Sequence, residues 1–406
     1  MKIISKSHLK SSVVMASICG SLSVTLPVGA QLPSVAPVIY VDPISGVNIV
    51  STGNSVTNPY KTITFALEQA QPGTIIQLAP GSYTNESFPI ILKQGITLRG
   101  DESTKGKTVV ISGGGDYNSR SFARQNVTIL AEQDSTINGV TVTNRNARGT
   151  GVWVESTNPV IKNSTFAQSL REGIFVTAGG DPTVENNQFT ANNGNGISIT
   201  KSSKGKISNN VIEKSGFGLS INHDSKPVLT KNQITNNRDG IVITDSAQPL
   251  LRSNVVKDNE RDGIVITLNS SPDLGTRSNP GGNVIVNNGR SNIYNVATTG
   301  VAISALGNTI DDSGILGEVE IDGIQITGNR KPVSSDDPNL ALLIRKWQLT
   351  AVSCSSTPVI VIFIGNKQYC FSPQPDLTAK AYEYNPTTGT LRALRTGPRP
   401  TKPGNL

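Results

Sequence analysis

Three constellations of side chains could do chemistry. Arg238-Asp239 and Arg261-Asp262 each stand directly before a glycine, 23 residues apart, and Arg171-Glu172 repeats the arrangement earlier in the chain. Carboxylates beside guanidiniums can act as acids, bases and an anion clamp. Alternating signs at a turn also make an exposed ladder of ion pairs, the reading this pattern favours. His223-Asp224 offers a general base with an orienting acid, although an isolated turn histidine is more often inert. Trp153 and Phe175, 22 residues apart and with Glu155 nearby, could form an aromatic platform for a sugar ring. The competing account packs the two rings beneath a loop or against the carboxy-terminal segment.

The elements that position these residues are written as a repeat. Gly151, Gly173, Gly196, Gly218, Gly240 and Gly263 follow one another at intervals of 22 or 23 residues. Each is followed by alternating apolar residues, such as Ile174 and Val176 or Ile197 and Ile199, so each copy opens with a strand. Further apolar columns follow at Ile161, Val184, Ile207, Leu229 and Leu251, and at Phe166, Phe189, Ile212, Ile234 and Val256. Three short strands per copy, with no helical stretch between copies, predict an all-β chain whose coils stack directly as a parallel β-helix. Asn187, Asn210, Asn232, Asn254, Asn283 and Asn308 each precede an apolar residue of the third column by two positions, and Ser164 interrupts the series. They are read as a structural ladder at a left-handed corner, with stacked carboxamides bonded along the coil.

On this reading the chain divides into residues 1–30, a signal peptide; 31–128, an amino-terminal cap with the first coils; 129–330, the repeats; 331–338, a linker; and 339–406, a small β-rich module with a basic tail. The first segment has Lys2, Lys6 and Lys10, an apolar run from Val13 to Val28 and Val28-Gly29-Ala30 before Gln31. Lipidation at Cys19 is disfavoured by the bulky Ile18 before it. No later segment is long and apolar enough to span a membrane. Export to the periplasm, cell surface or extracellular space is therefore expected.

Cleavage would remove three lysines and no acids, lowering the formal charge from +7 to +4. Residues 331–406 carry nine Lys or Arg against four Asp or Glu, so the charge is concentrated there. A basic tail could touch an acidic polymer, whereas nucleic acid is an unsuited partner for an exported chain with few aromatics on its basic side. Cys354 and Cys370 remain as an even pair, expected to form a disulfide in an oxidising compartment. One histidine remains beyond residue 30, which excludes a zinc centre.

Tyr40-Val41-Asp42, Pro59-Tyr60-Lys61-Thr62-Ile63, Ala66-Leu67, Ala70, Gly73, Ile76-Gln77-Leu78 and Pro80-Gly81-Ser82-Tyr83 together resemble the amino-terminal signature of a secreted β-helix family of unknown function. Pro59 to Ala70 is read as a helix closing the open end of the coil. The repeats are similar to those of the pectin-lyase-like superfamily, and the resemblance implies right-handed coiling and carbohydrate polymers as ligands. That superfamily holds polygalacturonase-like hydrolases and calcium-dependent lyases. Their motifs are not matched: Asp311-Asp312 has no accompanying glycine-histidine-glycine, Arg345-Lys346 lacks the middle residue, and no aspartate cluster lies on the strand face. No cofactor is expected, and calcium has no residue support. The chain is read as an exported, non-catalytic β-helix protein that binds or sits among cell-envelope or extracellular polysaccharide. The alternatives are a polysaccharide lyase or glycoside hydrolase acting on an acidic glycan through Arg238, Asp239, Arg261, Asp262, His223 or Asp224, and a purely structural surface or adhesion protein.

Overall fold

The computed structural model describes residues 36–300, 302–311, 314–321, 324–328, 360–364, 367–371, 381–385 and 390–393. Three long sheets share the coil. The first runs from Val38–Val41 through Ile75–Leu78 and on to Leu250–Arg252; the second from Gly81–Tyr83 to Thr309–Ile310; the third from Ile90–Leu92 through Gly149–Glu155 and Asp262–Leu268 to Ile315–Ile321. A strand of the first sheet is followed by one of the second and one of the third, and the next coil repeats the order. Neighbours pair parallel and in register, so Ile161 meets Val184, Phe166 meets Phe189 and Ile174 meets Ile197. This is a parallel β-helix. Like residues therefore stack on like about 4.8 Å apart, and the inner columns form one continuous apolar core from Val41 to Ile321.

Each recurring glycine has a packing reason. A Cβ at Gly151, Gly173, Gly196, Gly218, Gly240 or Gly263 would lie 2.4–2.7 Å from a carbonyl oxygen of the next coil, and at Gly173 it would also meet Phe166 and Phe189 of the core. The glycine thus faces inward together with the core. The residue before it and the second residue after it face outward, as the 2.9 Å bond from Asn195 Nδ2 to Ser198 Oγ records.

The asparagine column is buried and bonded. The backbone N–H and Nδ2 of Asn210 both donate to Oδ1 of Asn232, at 3.1 and 3.0 Å, while Nδ2 also donates to the Val184 carbonyl at 2.9 Å. The same pattern joins Asn187 to Asn210, Asn232 to Asn254, Asn254 to Asn283 and Asn283 to Asn308. The left-handed residue of the corner is not the ladder asparagine but the one before it: Asn186, Asn209, Lys231 and Ser253 have φ of 55–58°. A second ladder at the next corner runs through Asn237, Asn259, Asn288 and Asn292, with Ser169 donating to Asn192 and Ser215 to Asn237.

The cap helix spans Ile63–Gln69, shorter than Pro59 to Ala70, because Tyr60 pairs with the first strand, its N–H donating to the Tyr40 carbonyl at 2.8 Å. Thr62 caps the helix, and the Glu86 carboxylate accepts the N–H groups of Ile63 and Thr64. A carboxylate there satisfies two donors that a helix start leaves over. Near the other end of the chain, Ile360–Ile364 pairs antiparallel with Lys367–Phe371 and parallel with Ala381–Asn385, which pairs antiparallel with Thr390–Ala393. The expected signal peptide, the expected linker and Cys354 of the expected Cys354–Cys370 disulfide lie outside the described residues.

Candidate functional site

The candidate residues converge on the outer face of the third sheet. One outward column reads Thr150, Glu172, Asn195, Phe217, Asp239, Asp262 and Ser291, and the next reads Trp153, Phe175, Ser198, Ser220, Val242, Val265 and Tyr294. Both bear on the sequence expectations.

Trp153 and Phe175 do stack, with centroids 4.3 Å apart and planes 8° from parallel, but the stack is covered. Gly115–Asn118 folds back antiparallel on Arg124–Ala131, and the segment that follows it drives Phe122 edge-on against both rings while Tyr117 meets Trp153. Trp153 is fully buried and Phe175 is 5% exposed, so no face is open to a sugar. Of the two accounts, packing beneath a loop is the one observed. Glu155 is the hub of that loop and not a sugar contact. It accepts hydrogen bonds from Tyr117 Oη, Ser119 Oγ, the Ser121 N–H and Trp153 Nε1 at 2.7–3.2 Å. Burial pushes its carboxyl up, but the bonds from Ser121, Tyr117 and Ser119 outweigh this and hold it below the usual glutamate range. Lys201 completes the cover, 4.0 Å above the Phe122 ring and bonded to the Ser121 carbonyl.

The charged corner also departs from expectation: its acids are buried and its arginines half-exposed. Arg171 Nε lies 2.9 Å from Glu172 Oε1; Arg238 Nε and Arg261 Nε lie 3.5 and 3.3 Å from the two oxygens of Asp239; Arg290 forks onto Asp262, with Nε at 2.9 Å. Asp239 and Asp262 are 1% and 0% exposed, whereas the side chains of Arg238, Arg261 and Arg290 are 46–49% exposed. Burial pushes the Glu172 carboxyl up, against the pull of Arg171 and a 2.9 Å bond from Thr150 Oγ1. The sequence placed these acids at turns and hence in solvent. Glu172 and Asp239 are instead covered by the arginine that precedes each, Asp239 by Arg261 as well, and Asp262 by Arg290 of the next coil.

Successive arginines are tied by backbone bonds, Arg261 N–H to the Arg238 carbonyl and Arg290 N–H to the Arg261 carbonyl, so three guanidiniums stand on three consecutive coils. At the two coils between Arg171 and Arg238 the row holds Gly194 and Gly216. Arg238 lies over the Phe217 ring at 4.7 Å, and Arg290 over Tyr294 at 5.4 Å. Such a contact orients a cation that remains accessible.

His223 and Asp224 do not form a dyad. His223 occupies a left-handed corner, φ 55°, with Nδ1 2.9 Å from Thr200 Oγ1 and 3.0 Å from Asn222 Oδ1, while its N–H donates to Asp245. Asp224 turns to the neighbouring coil and accepts from the N–H and Oγ of Ser202, both at 2.7 Å. The long insertion from Ser270 to Gly282 does not wall this face. Its Asp273 bridges to Leu250 and pairs with Arg252 of the first sheet, and its Leu274 is buried in the core. The donor set of the third sheet does not fit calcium either, because Asp239 and Asp262 point their oxygens at guanidiniums.

A family model described as "Protein of unknown function (DUF1565)" matches residues 44–315. No curated protein matches the sequence. Among solved structures, the chain is similar to the pectate lyase Pel9A, with 14% identity, a TM-score of 0.47, and coverage of 85% of this chain and 94% of that one. It is also similar to the GH136 lacto-N-biosidase from Eubacterium ramulus, with 14% identity, TM-score 0.42 and coverage of 67% and 62%. A third likeness is to a double mutant of the periplasmic alginate epimerase AlgG, with 16% identity, TM-score 0.34 and coverage of 61% and 74%. Likenesses this distant transfer no residue of those proteins to this chain.

Proposed function

The chain belongs to the DUF1565 family, and on that premise we propose that it binds an acidic polysaccharide along the outer face of its third sheet without cleaving it. The observation that carries the reading is the row of Arg238, Arg261 and Arg290, half-exposed on three consecutive coils with buried acids behind them. Arg238 and Arg261 engage Asp239 through Nε. A guanidinium anchored in this way presents a forked donor to a carboxylate or sulfate with little entropy left to lose. One cation per coil, about 4.8 Å apart, complements a polymer carrying anions at regular intervals better than a single small ligand.

The same geometry speaks against the lyase and hydrolase alternatives. A catalytic carboxyl must reach the scissile bond, and Asp239 and Asp262 reach arginines. The test presents the purified protein with acidic and neutral polysaccharides, with and without calcium, and follows both retention and new chain ends. Retention of acidic chains that weakens as salt rises, with no new ends, is the expected result. New ends that disappear in Asp239→Asn would overturn it in favour of an enzyme. Equal retention of acidic and neutral chains, or none, would move the weight to a structural role.

A further inference from the structure

The outer face of the third sheet is sealed toward its amino-terminal end and open beyond. Along its middle column Trp153, Phe175, Ser198 and Ser220 are 0–9% exposed, whereas the next three residues, Val242, Val265 and Tyr294, are half-buried and reach solvent. The arginine row begins where this floor opens. Arg238, Arg261 and Arg290 stand on the coils of Val242, Val265 and Tyr294, and the coils of Ser198 and Ser220 hold Gly194 and Gly216 in the same row. On the far side of the open floor lie Thr244 and Thr267, their hydroxyls joined by a 2.8 Å bond, and then Val296, 44% exposed. The open coils thus present cations along one edge, apolar residues in the middle and hydroxyls along part of the other edge. An acidic sugar has a matching cross-section, with an anion on one edge, a C–H face and hydroxyls opposite.

What bounds the open run is a step. Between Asn118 and Arg124 the tip of the covering hairpin lays Phe122 over Trp153 and Phe175, at centroid distances of 6.2 and 5.2 Å, and Lys201 lies 4.0 Å over the Phe122 ring in turn. The step is therefore two side chains high, and it is anchored. Glu155 accepts from Ser119 Oγ and the Ser121 N–H, Ser121 Oγ meets Thr177 Oγ1 at 3.2 Å, and Lys201 donates to the Ser121 carbonyl. In the other direction the floor continues past Tyr294 to its neighbour Leu316, which is also half-buried. A chain laid along the arginines can continue that way but meets Lys201 and Phe122 on the other side.

We propose that this face recognises the end of an acidic glycan chain, with the terminal residues over Val242, Val265 and Tyr294, their anions on the three arginines, and the hairpin tip as the stop. The inference rests on the polysaccharide-binding reading and narrows it from any stretch of the polymer to its ends. The experiment titrates the protein, without divalent cations, into equal masses of polygalacturonate and of alginate, each intact and shortened to a tenth of its length, and measures the protein bound at saturation. Recognition of ends predicts about tenfold more protein on the shortened chains, because equal mass then holds ten times as many ends. Equal binding to intact and shortened chains overturns the proposal and leaves the polysaccharide reading standing. Binding to none of the four preparations removes that reading and the proposal with it. A variant in which residues 119–123 are replaced by Asn-Gly, a two-residue turn that keeps Asn118 opposite Arg124, tests the stop itself. Folded by thermal melting, this variant is expected to bind intact and shortened chains equally by mass. A folded variant that still follows the number of ends overturns the role of the hairpin, and if the variant does not fold the titration of the parent protein decides.

Discussion

Asp262 is sealed from solvent, and Arg290 is the cation that pairs with it there. Removing one partner of a buried pair leaves an uncompensated charge, so Arg290→Ala is expected to cost about 3–5 kcal/mol in chemical denaturation. Changing Arg238 and Arg261 together to lysine keeps positive charge beside Asp239 and removes the fork. Retention of an acidic polysaccharide should then fall about tenfold while the unfolding midpoint moves little. Glu172 gives a pH signature. Its folded carboxyl is raised by burial above the ordinary glutamate value of about 4.3. Between the unfolded and folded values the native state therefore binds more protons, and stability falls as pH rises through that window. Glu172→Gln should flatten this fall in a series of melts from pH 4 upward. The identities of these residues were legible in the sequence, since arginine, acid and glycine recur at the coil period. Their burial was not, because the pattern reads as an exposed turn until the glycine is seen to face the core. Trp153 and Phe175 were legible as a stack for the same reason of period. What covers them was not, since the covering hairpin lies outside the repeat. A signal did exist in the run Gly113-Gly114-Gly115, where a Cβ on Gly115 would stand 1.9 Å from the Phe88 carbonyl.

Among the elements, the corners carry most of the strain and most of the repair. Many are turned by non-glycine residues in left-handed backbone, Ala178 at φ 52° and Ala191 at φ 56° among them. That conformation costs an L-residue with a Cβ about 1–2 kcal/mol, part of which glycine gives back in unfolded-state entropy. Ala178→Gly with Ala191→Gly is thus expected to raise stability, by about 1 kcal/mol in total, in a denaturant titration. Asn232→Ala should act in the opposite direction. It strands the N–H of Asn210 and the carbonyl of Ile207 in the interior and should lose about 2–4 kcal/mol, whereas Asn236→Ala at an exposed position should cost far less. The first ladder could be read directly because its asparagines keep a fixed offset from the third apolar column. The second escaped because Ser169 and Ser215 interrupt it, and a serine that donates its N–H to the next asparagine looks in sequence like any other turn residue.

Across the whole molecule the parallel coil was legible because one period governs three sheets, and a 22- or 23-residue spacing leaves no room for a crossover helix. Both ends were harder, since a terminal coil has a neighbour on one side only and its residues answer to the cap. The shortened helix Ile63–Gln69 is one instance. Stability in such a stack is close to a sum over coils and their interfaces. Amide exchange should accordingly be slowest in the strands from Val152 to Ile266 and faster toward either terminus, and uniform protection along the coil would contradict that additivity.

Neighbouring coils meet through the same three corners, whatever residues face outward, and this makes the repeat a unit of editing. Excising one repeat in frame, from Gly194 to Ser215, would rejoin equivalent backbone and bring Arg171 one step nearer to Arg238; duplicating it would move them one step apart. The spacing of surface charges is thereby quantised. Inheritance can retune the outer face in whole steps of one coil, as a vernier is advanced, without redesigning the interior that bears it.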